Sequence, residues 1–351
     1  MQLNYMATWH GREVEVFKGT IGDLRKEIPY FRRDAFRLET GGRNPHLDII
    51  VRKPLRQNPG YLLPPDDEGH IPIATVSRQY VLVQHHDVLD ALEEALKETG
   101  VDLAHLKGEL ILTEYGERMW ASFTLPTQGF NPGVDTFFDP GDGYPVVLKV
   151  NVLNSVDKTA ALEIKLTWVR LICSNGWIYG ENVDFRKIHR EKSLNPEGIK
   201  KFLDTQLQAE QVSRQKERSK RWYATRIFTK PLSEEKPSPS QIEHWIDKVV
   251  AKKWNINAAA RVYHIAKTGY DGNVLPPHRK GVSPHELKVK RTHEVPGAFV
   301  PVRNAYDISQ VLSWIAGHRG TIQDQLKWMV NIPGLVDTLL QTKGPLTLQI
   351  K

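Results

Sequence analysis

Between residues 144 and 180, two apolar-rich runs at 146–153 and 160–173 flank the polar turn Asn154-Ser155-Val156-Asp157-Lys158. In the second run Leu162, Ile164, Leu166 and Trp168 share one parity, while Glu163, Lys165 and Thr167 share the other. A period of two with β-branched and aromatic residues predicts a strand with one buried face and one wet face. The pair therefore reads as a long antiparallel hairpin. Upstream, 109–113 and 119–125 meet across Glu114-Tyr115-Gly116-Glu117 as a second hairpin. Together they predict a four-strand meander, large enough to hold a core where a single hairpin is not.

The rest of the chain supplies helices to cover it. With 351 residues and 40% hydrophobic content there is core-forming capacity for one to three domains. Apolar runs stay below the ~18 residues that a membrane span needs, so no membrane contact is expected. The opening residues lack the basic-then-apolar layout of a signal peptide. Cys173 is the single cysteine, which excludes an intrachain disulfide and suits a reducing cytoplasm. The net charge of +7 favours a polyanionic partner.

Residues 1–73 read as an extended basic N-terminal arm, with a short helix over 20–31 capped by Thr20 and a Pro/Gly-rich continuation. Residues 74–230 read as an α+β core: a strand at 75–83, a helix at 85–99 closed by Gly100, the two hairpins, and one long helix over 196–222. The intervening loop at 128–143 carries Phe130, Phe137 and Phe138, which either protrude as a contact surface or fold back onto the core. Segment 230–239 is a linker. Residues 238–351 read as a helical C-terminal region. It opens with the capping box Ser240-x-x-Glu243, continues with helices at 257–267, 307–318 and 321–330, and holds a loop at 269–297.

The charge is local. Residues 186–230 hold thirteen Lys/Arg against five Asp/Glu, a net +8 that exceeds the whole chain's excess. Arg186, Lys187 and Arg190 begin this segment, and Arg214, Lys216, Arg218, Lys220 and Arg221 crowd against Trp222 and Tyr223. Cations beside aromatics suit phosphate attraction with base stacking, whereas a merely solvated helix face is the plainer alternative. These ten residues are the candidate nucleic-acid-binding set.

Catalytic patterns are few. Cys173 sits in an apolar run as a structural thiol would. His85 and His86 are neighbours on a helix, diverging by about 100° and so ill placed to chelate one ion. Asp142 followed by Glu163 and Lys165 has the residue order of a metal-dependent nuclease, but Glu-x-Lys is also what any half-exposed strand produces. The expectation is no cofactor, no metal and no catalytic residue.

Three segments carry a resemblance. They are Ser77-Arg78-Gln79-Tyr80-Val81-Leu82-Val83-Gln84, Leu153-Asn154-Ser155-Val156-Asp157 and Val169-Arg170-Leu171-Ile172-Cys173-Ser174-Asn175-Gly176. In order and spacing they resemble the phage/plasmid-like protein family of unknown function found in phages, plasmids and prophage islands. The likeness is firm over residues 76–180, looser in the helical tail, and absent before residue 70. A remote similarity to Redβ/RecT-type single-strand annealing proteins implies a curved sheet with a helix, assembled into rings or filaments along single-stranded DNA. The expected function is thus non-catalytic single-stranded DNA binding and annealing by a cytoplasmic homo-oligomer. The alternatives are a mobile-element interaction protein acting on host defence or recombination enzymes, and the nuclease.

Overall fold

The computed structural model describes residues 14–53, 70–113, 115–126, 136–170, 177–187, 196–231, 239–276 and 281–350, with the side chains of 177–187 and 196 outside that description. The chain opens with β1 (Val14–Thr20) and α1 (Ile21–Arg25), whose N-cap is Thr20. A three-stranded antiparallel sheet follows, made of β2 (Phe31–Arg37), β3 (Arg43–Arg52) and β4 (Ile71–Ser77) in that order. Helix α2 (His85–Glu98) leads into the main sheet: β5 (Lys107–Thr113), β6 (Arg118–Thr124), β7 (Phe137–Phe138), β8 (Val146–Ser155), β9 (Leu162–Arg170) and β10 (Trp177–Lys187). Its order is β1-β5-β6-β8-β9-β10, with β7 pairing β8 beside the main path and every pairing antiparallel.

The protein is therefore α+β, and the expected meander is the centre of a seven-stranded sheet. The N-terminal segment does lie along the core, but through regular structure. β1 forms the sheet's edge, and Ile21, Leu24 and Ile28 are buried in the main apolar cluster. Segment 54–69, where much of the expected Pro/Gly-rich arm falls, is outside the described residues.

Beyond the sheet come α3 (Pro196–Gln206), α4 (Ala209–Ala224) and β11 (Phe228–Pro231). The single long helix expected over 196–222 is two helices, because Gln208 takes an extended backbone (φ −63°, ψ 137°) as the N-cap of α4. Then α5 (Gln241–Trp245) begins at the expected Ser240 capping box and passes through a π turn into α6 (Ala251–Lys253). Helix α7 (Ile256–Thr268) ends at left-handed Gly269. The expected loop at 269–297 instead contains a hairpin of β12 (Tyr270–Val274) and β13 (Val289–Glu294). Helices α8 (Ala305–Gly317), α9 (Ile322–Met329) and α10 (Ile332–Leu340) precede β14 (Thr347–Ile350), which pairs in parallel with β11.

The two faces of the sheet differ. On one, Leu110, Met119, Phe123, Leu148, Val150, Ile164 and Trp168 join α2 and the later helices in one continuous core. On the other, Ile111, Trp120 and Leu153 pack with Ile322 and Leu326 of α9. This second face was expected to be wet. It is not: Glu163, Lys165 and Thr167 are 6%, 3% and 0% exposed. Polar alternation signals which side chains need partners, and here the partners are protein groups. Lys165 donates to Glu163 at 2.6 Å, and Asn151 donates to Thr167 Oγ1 at 2.7 Å.

Candidate functional site

Helix α4 presents the basic run. Its inward stripe is Val212, Gln215, Ser219 and Trp222, all buried at a three-to-four-residue spacing. Gln215 Oε1 accepts the Trp168 indole N–H at 2.8 Å, fixing α4 to β9. The opposite side carries Arg214, Lys220 and Arg221, with side chains 67%, 51% and 62% exposed. Each has a carboxylate neighbour: Glu210 at 2.5 Å, Glu217 at 2.9 Å and Asp337 at 3.0 Å. Such exposed pairs contribute about 0–1 kcal/mol and open readily to a stronger anion. Lys216 lies over the Phe138 ring and Arg218 over the Trp222 ring, both half-buried.

The aromatic part of the expected site needs correcting. Trp222 is 0% exposed, and its Nε1 donates to Asp337 Oδ1 at 2.9 Å. It anchors α4 to α10 and has no face open to a base. Tyr223 is half-buried, edge-on to Tyr306 at 6.3 Å. An exposed aromatic close by in the sequence is Phe228 on β11, at 52%, flanked by exposed Arg226 and Lys230. Arg186 and Lys187 belong to β10, opposite Glu163 and Leu162 in register. Their side chains lie outside the described residues, as do Arg190 and Cys173. Of the loop phenylalanines, Phe138 folds onto Trp168 with centroids 4.9 Å apart, Phe137 is 37% exposed, and Phe130 is outside the description.

Asp142, Glu163 and Lys165 do not converge. Asp142 is bound by Arg170, whose guanidinium also lies 3.4 Å from the Tyr306 hydroxyl. Burial pushes that hydroxyl up to about 12. Glu163 is on the other face of β9, seven residues away, a separation of roughly 23 Å along a strand. No cluster of three or more His, Cys, Asp or Glu suited to a metal occurs among the described residues.

The histidine pair diverges as expected. His86 Nε2 donates to Ile28 O at 2.9 Å, and its ring stacks on Tyr30 at 3.9 Å. His85 is fully buried, donating from Nε2 to Gly116 O and accepting at Nδ1 from Asn154, both at 2.9 Å. Asn154 also donates to Val83 O at 3.2 Å, and the Tyr80 hydroxyl donates to Val156 O at 3.1 Å. Two of the three resemblance segments, 77–84 and 153–157, are thus hydrogen-bonded to each other and serve the fold.

Residues 72–259 match the family model described as "Domain of unknown function (DUF932)". The chain belongs to this family. The match covers more than half of the sequence, from β4 into α7. It includes α4 and both motif segments just described. No curated protein and no solved structure matches this chain.

A cleft of about 880 Å³ straddles the end of the family match, with residues 251 and 254–258 of its lining inside the match and Arg261, Asp271, His293 and Arg319 among those beyond it; no sequence pattern points to it. Its floor is Asp271, 1% exposed, whose carboxylate accepts both Arg261 Nε (2.7 Å) and Nη2, the Trp314 indole N–H (2.8 Å), and the Gly272 N–H (2.7 Å). Burial works to raise this carboxyl's pKa, but the Arg261 pairing and the other donors hold it below the usual range. A register shift between Asp271 and Gly272 lets the consecutive residues Thr292 and His293 both line the cleft. Regular strand neighbours would point to opposite sides.

Proposed function

We propose that the protein binds single-stranded nucleic acid, DNA in the first instance, without covalent chemistry, and that it assembles as a homo-oligomer on the strand. The observation that carries this reading is helix α4: five Lys/Arg within eight residues, three exposed and two half-buried over aromatic rings, on a helix whose inner stripe is locked to the core. A rigid cationic ridge attracts a phosphate backbone at little ordering cost, and the pairs it must open are weak exposed ones. Phe228 is the stacking surface in this reading, in place of Trp222. Assembly gives the ridge the length that annealing needs, since one module holds roughly 4–16 nucleotides.

The test is a salt titration of binding to single- and double-stranded oligonucleotides. Arg214, Lys216, Arg218, Lys220 and Arg221 all changed to glutamine should weaken binding and flatten the slope of affinity against salt, because fewer counterions are released. Phe228→Ala should lower affinity for single strands while leaving that slope unchanged. Unaltered affinity and slope in the glutamine variant would reduce α4 to a solvated face. Light scattering with a long single strand tests assembly; a monomer throughout removes annealing and leaves simple binding.

A further inference from the structure

We infer that the cleft beside Asp271 is a binding site for a nucleotide: a planar base held against its aromatic wall and a phosphate held by Arg319 and the first turn of α7. Among the described residues, Asp271 is the only carboxylate lining the cleft, and its two oxygens already accept four N–H donors. No acidic side chain is left there for a cation. Arg261 is balanced by Asp271, so Arg319 remains as a formal positive charge without a counter-ion among the described residues. The cleft therefore selects an anion.

The Arg319 guanidinium lies over the Trp328 ring at 4.3 Å, and Trp328 stacks on Trp254 with centroids 4.5 Å apart and planes 17° from parallel. Trp254 also lines the cleft. Stacked indoles with an arginine at one end form the surface on which a nucleobase adds a further layer. Donors are also at hand: Arg319 and Trp254 both line the cleft and each carries an N–H without an acceptor among the described residues, although those two atoms are themselves closed to solvent. The first turn of α7, with Asn257 exposed on it, adds backbone N–H groups that have no intrahelical acceptor. The volume falls within the ~300–1,000 Å³ typical of small-molecule sites.

This site is independent of the α4 ridge and stands or falls separately. Its source is either a free mononucleotide or the phosphorylated end of a strand. The experiment is calorimetric titration of the full chain with 5′-AMP and with inorganic phosphate, then with 5′-phosphorylated and 5′-hydroxyl oligothymidylate in competition with AMP. AMP should bind saturably and more tightly than phosphate. Arg319→Gln should weaken it at least about tenfold. Asn257→Asp, which suits the first turn of a helix and so preserves folding, should weaken it by placing a negative charge at the mouth. The α4 glutamine variant should bind AMP like the parent. Displacement of AMP by the phosphorylated strand alone would identify a strand end, and failure of both strands to displace it a free nucleotide. Absence of saturable AMP binding at millimolar concentration, AMP no tighter than phosphate, or full affinity in both folded cleft variants would overturn the assignment.

Discussion

Lys165 Nζ lies 2.6 Å from Glu163 Oε2 on the buried second face of β9, where the two side chains are 4% and 7% exposed. Both charges are out of water, and Lys165 depends on Glu163 for its balance. Removing one partner of such a pair strands the other. Glu163→Gln should therefore cost about 3–5 kcal/mol, read as a lowered urea midpoint. The double change Glu163→Leu with Lys165→Met should recover most of that loss, because two well-packed apolar groups avoid the desolvation altogether. On the non-catalytic reading, the double variant should also bind single-stranded DNA like the parent. A magnesium-dependent strand cleavage present in the parent and lost in that variant would overturn that reading.

The hairpin of β12 and β13 closes tightly at Gly272. A Cβ placed there would lie 2.0 Å from the Lys290 carbonyl oxygen and 2.7 Å from its carbon, both backbone atoms that a side-chain rotation cannot move. Gly272→Ala should force the strands apart at the bulge. The expected cost is about 1–3 kcal/mol, in the range for overpacking. Because Thr292 and His293 owe their shared orientation to that bulge, AMP binding should fall in the same variant. Unchanged stability together with unchanged AMP affinity would show that the bulge does not shape the cleft.

Acid should weaken the same region. Burial lowers His318, with Asp271 and the Trp314 carbonyl opposing and Arg261 and His293 adding to the depression. Burial also lowers His264, joined by Arg291 and Lys267 and opposed by Asp271. In the unfolded chain both rings take up a proton near pH 6.5, whereas the folded ones resist. The unfolded state then holds more protons, so stability is lost as pH falls below that value. Asp307, whose carboxyl burial pushes upward, acts in the opposite sense from its ordinary 3.8. Melting temperature measured between about pH 7.5 and 5.5 should decline, and His318→Gln should flatten the decline. An equal slope in the variant would remove His318 from this account.

How much of this was legible in the sequence depends on what each signal measures. The hairpins were readable because period-two alternation and a short polar turn act locally, and α2 and the Ser240 cap for similar reasons. The burial of Glu163 and Lys165 was not, since alternation separates two faces without saying what covers the second. Hairpin β12–β13 stayed hidden because β13 is a run of exposed polar residues with no apolar parity. The break before α4 carries neither Gly nor Pro. Trp222 is different: Val212, Gln215, Ser219 and Trp222 fall on one helical stripe, a spacing visible in the sequence that outweighs the pull of the neighbouring charges.

The family match stops at residue 259, inside α7, between Ala258 and Ala260, which are both buried. Several attachments cross that limit. Trp222 is tied to Asp337, Trp245 donates to Leu335 O at 3.0 Å, β11 finds its partner in β14, and β5 finds β1 at the other end of the chain. The limits of the family match are thus not limits of the packing. Cut out at 72–259, the segment would leave β4, β5 and β11 each short of a strand neighbour and α7 severed near its start, so it is expected to melt below the full chain.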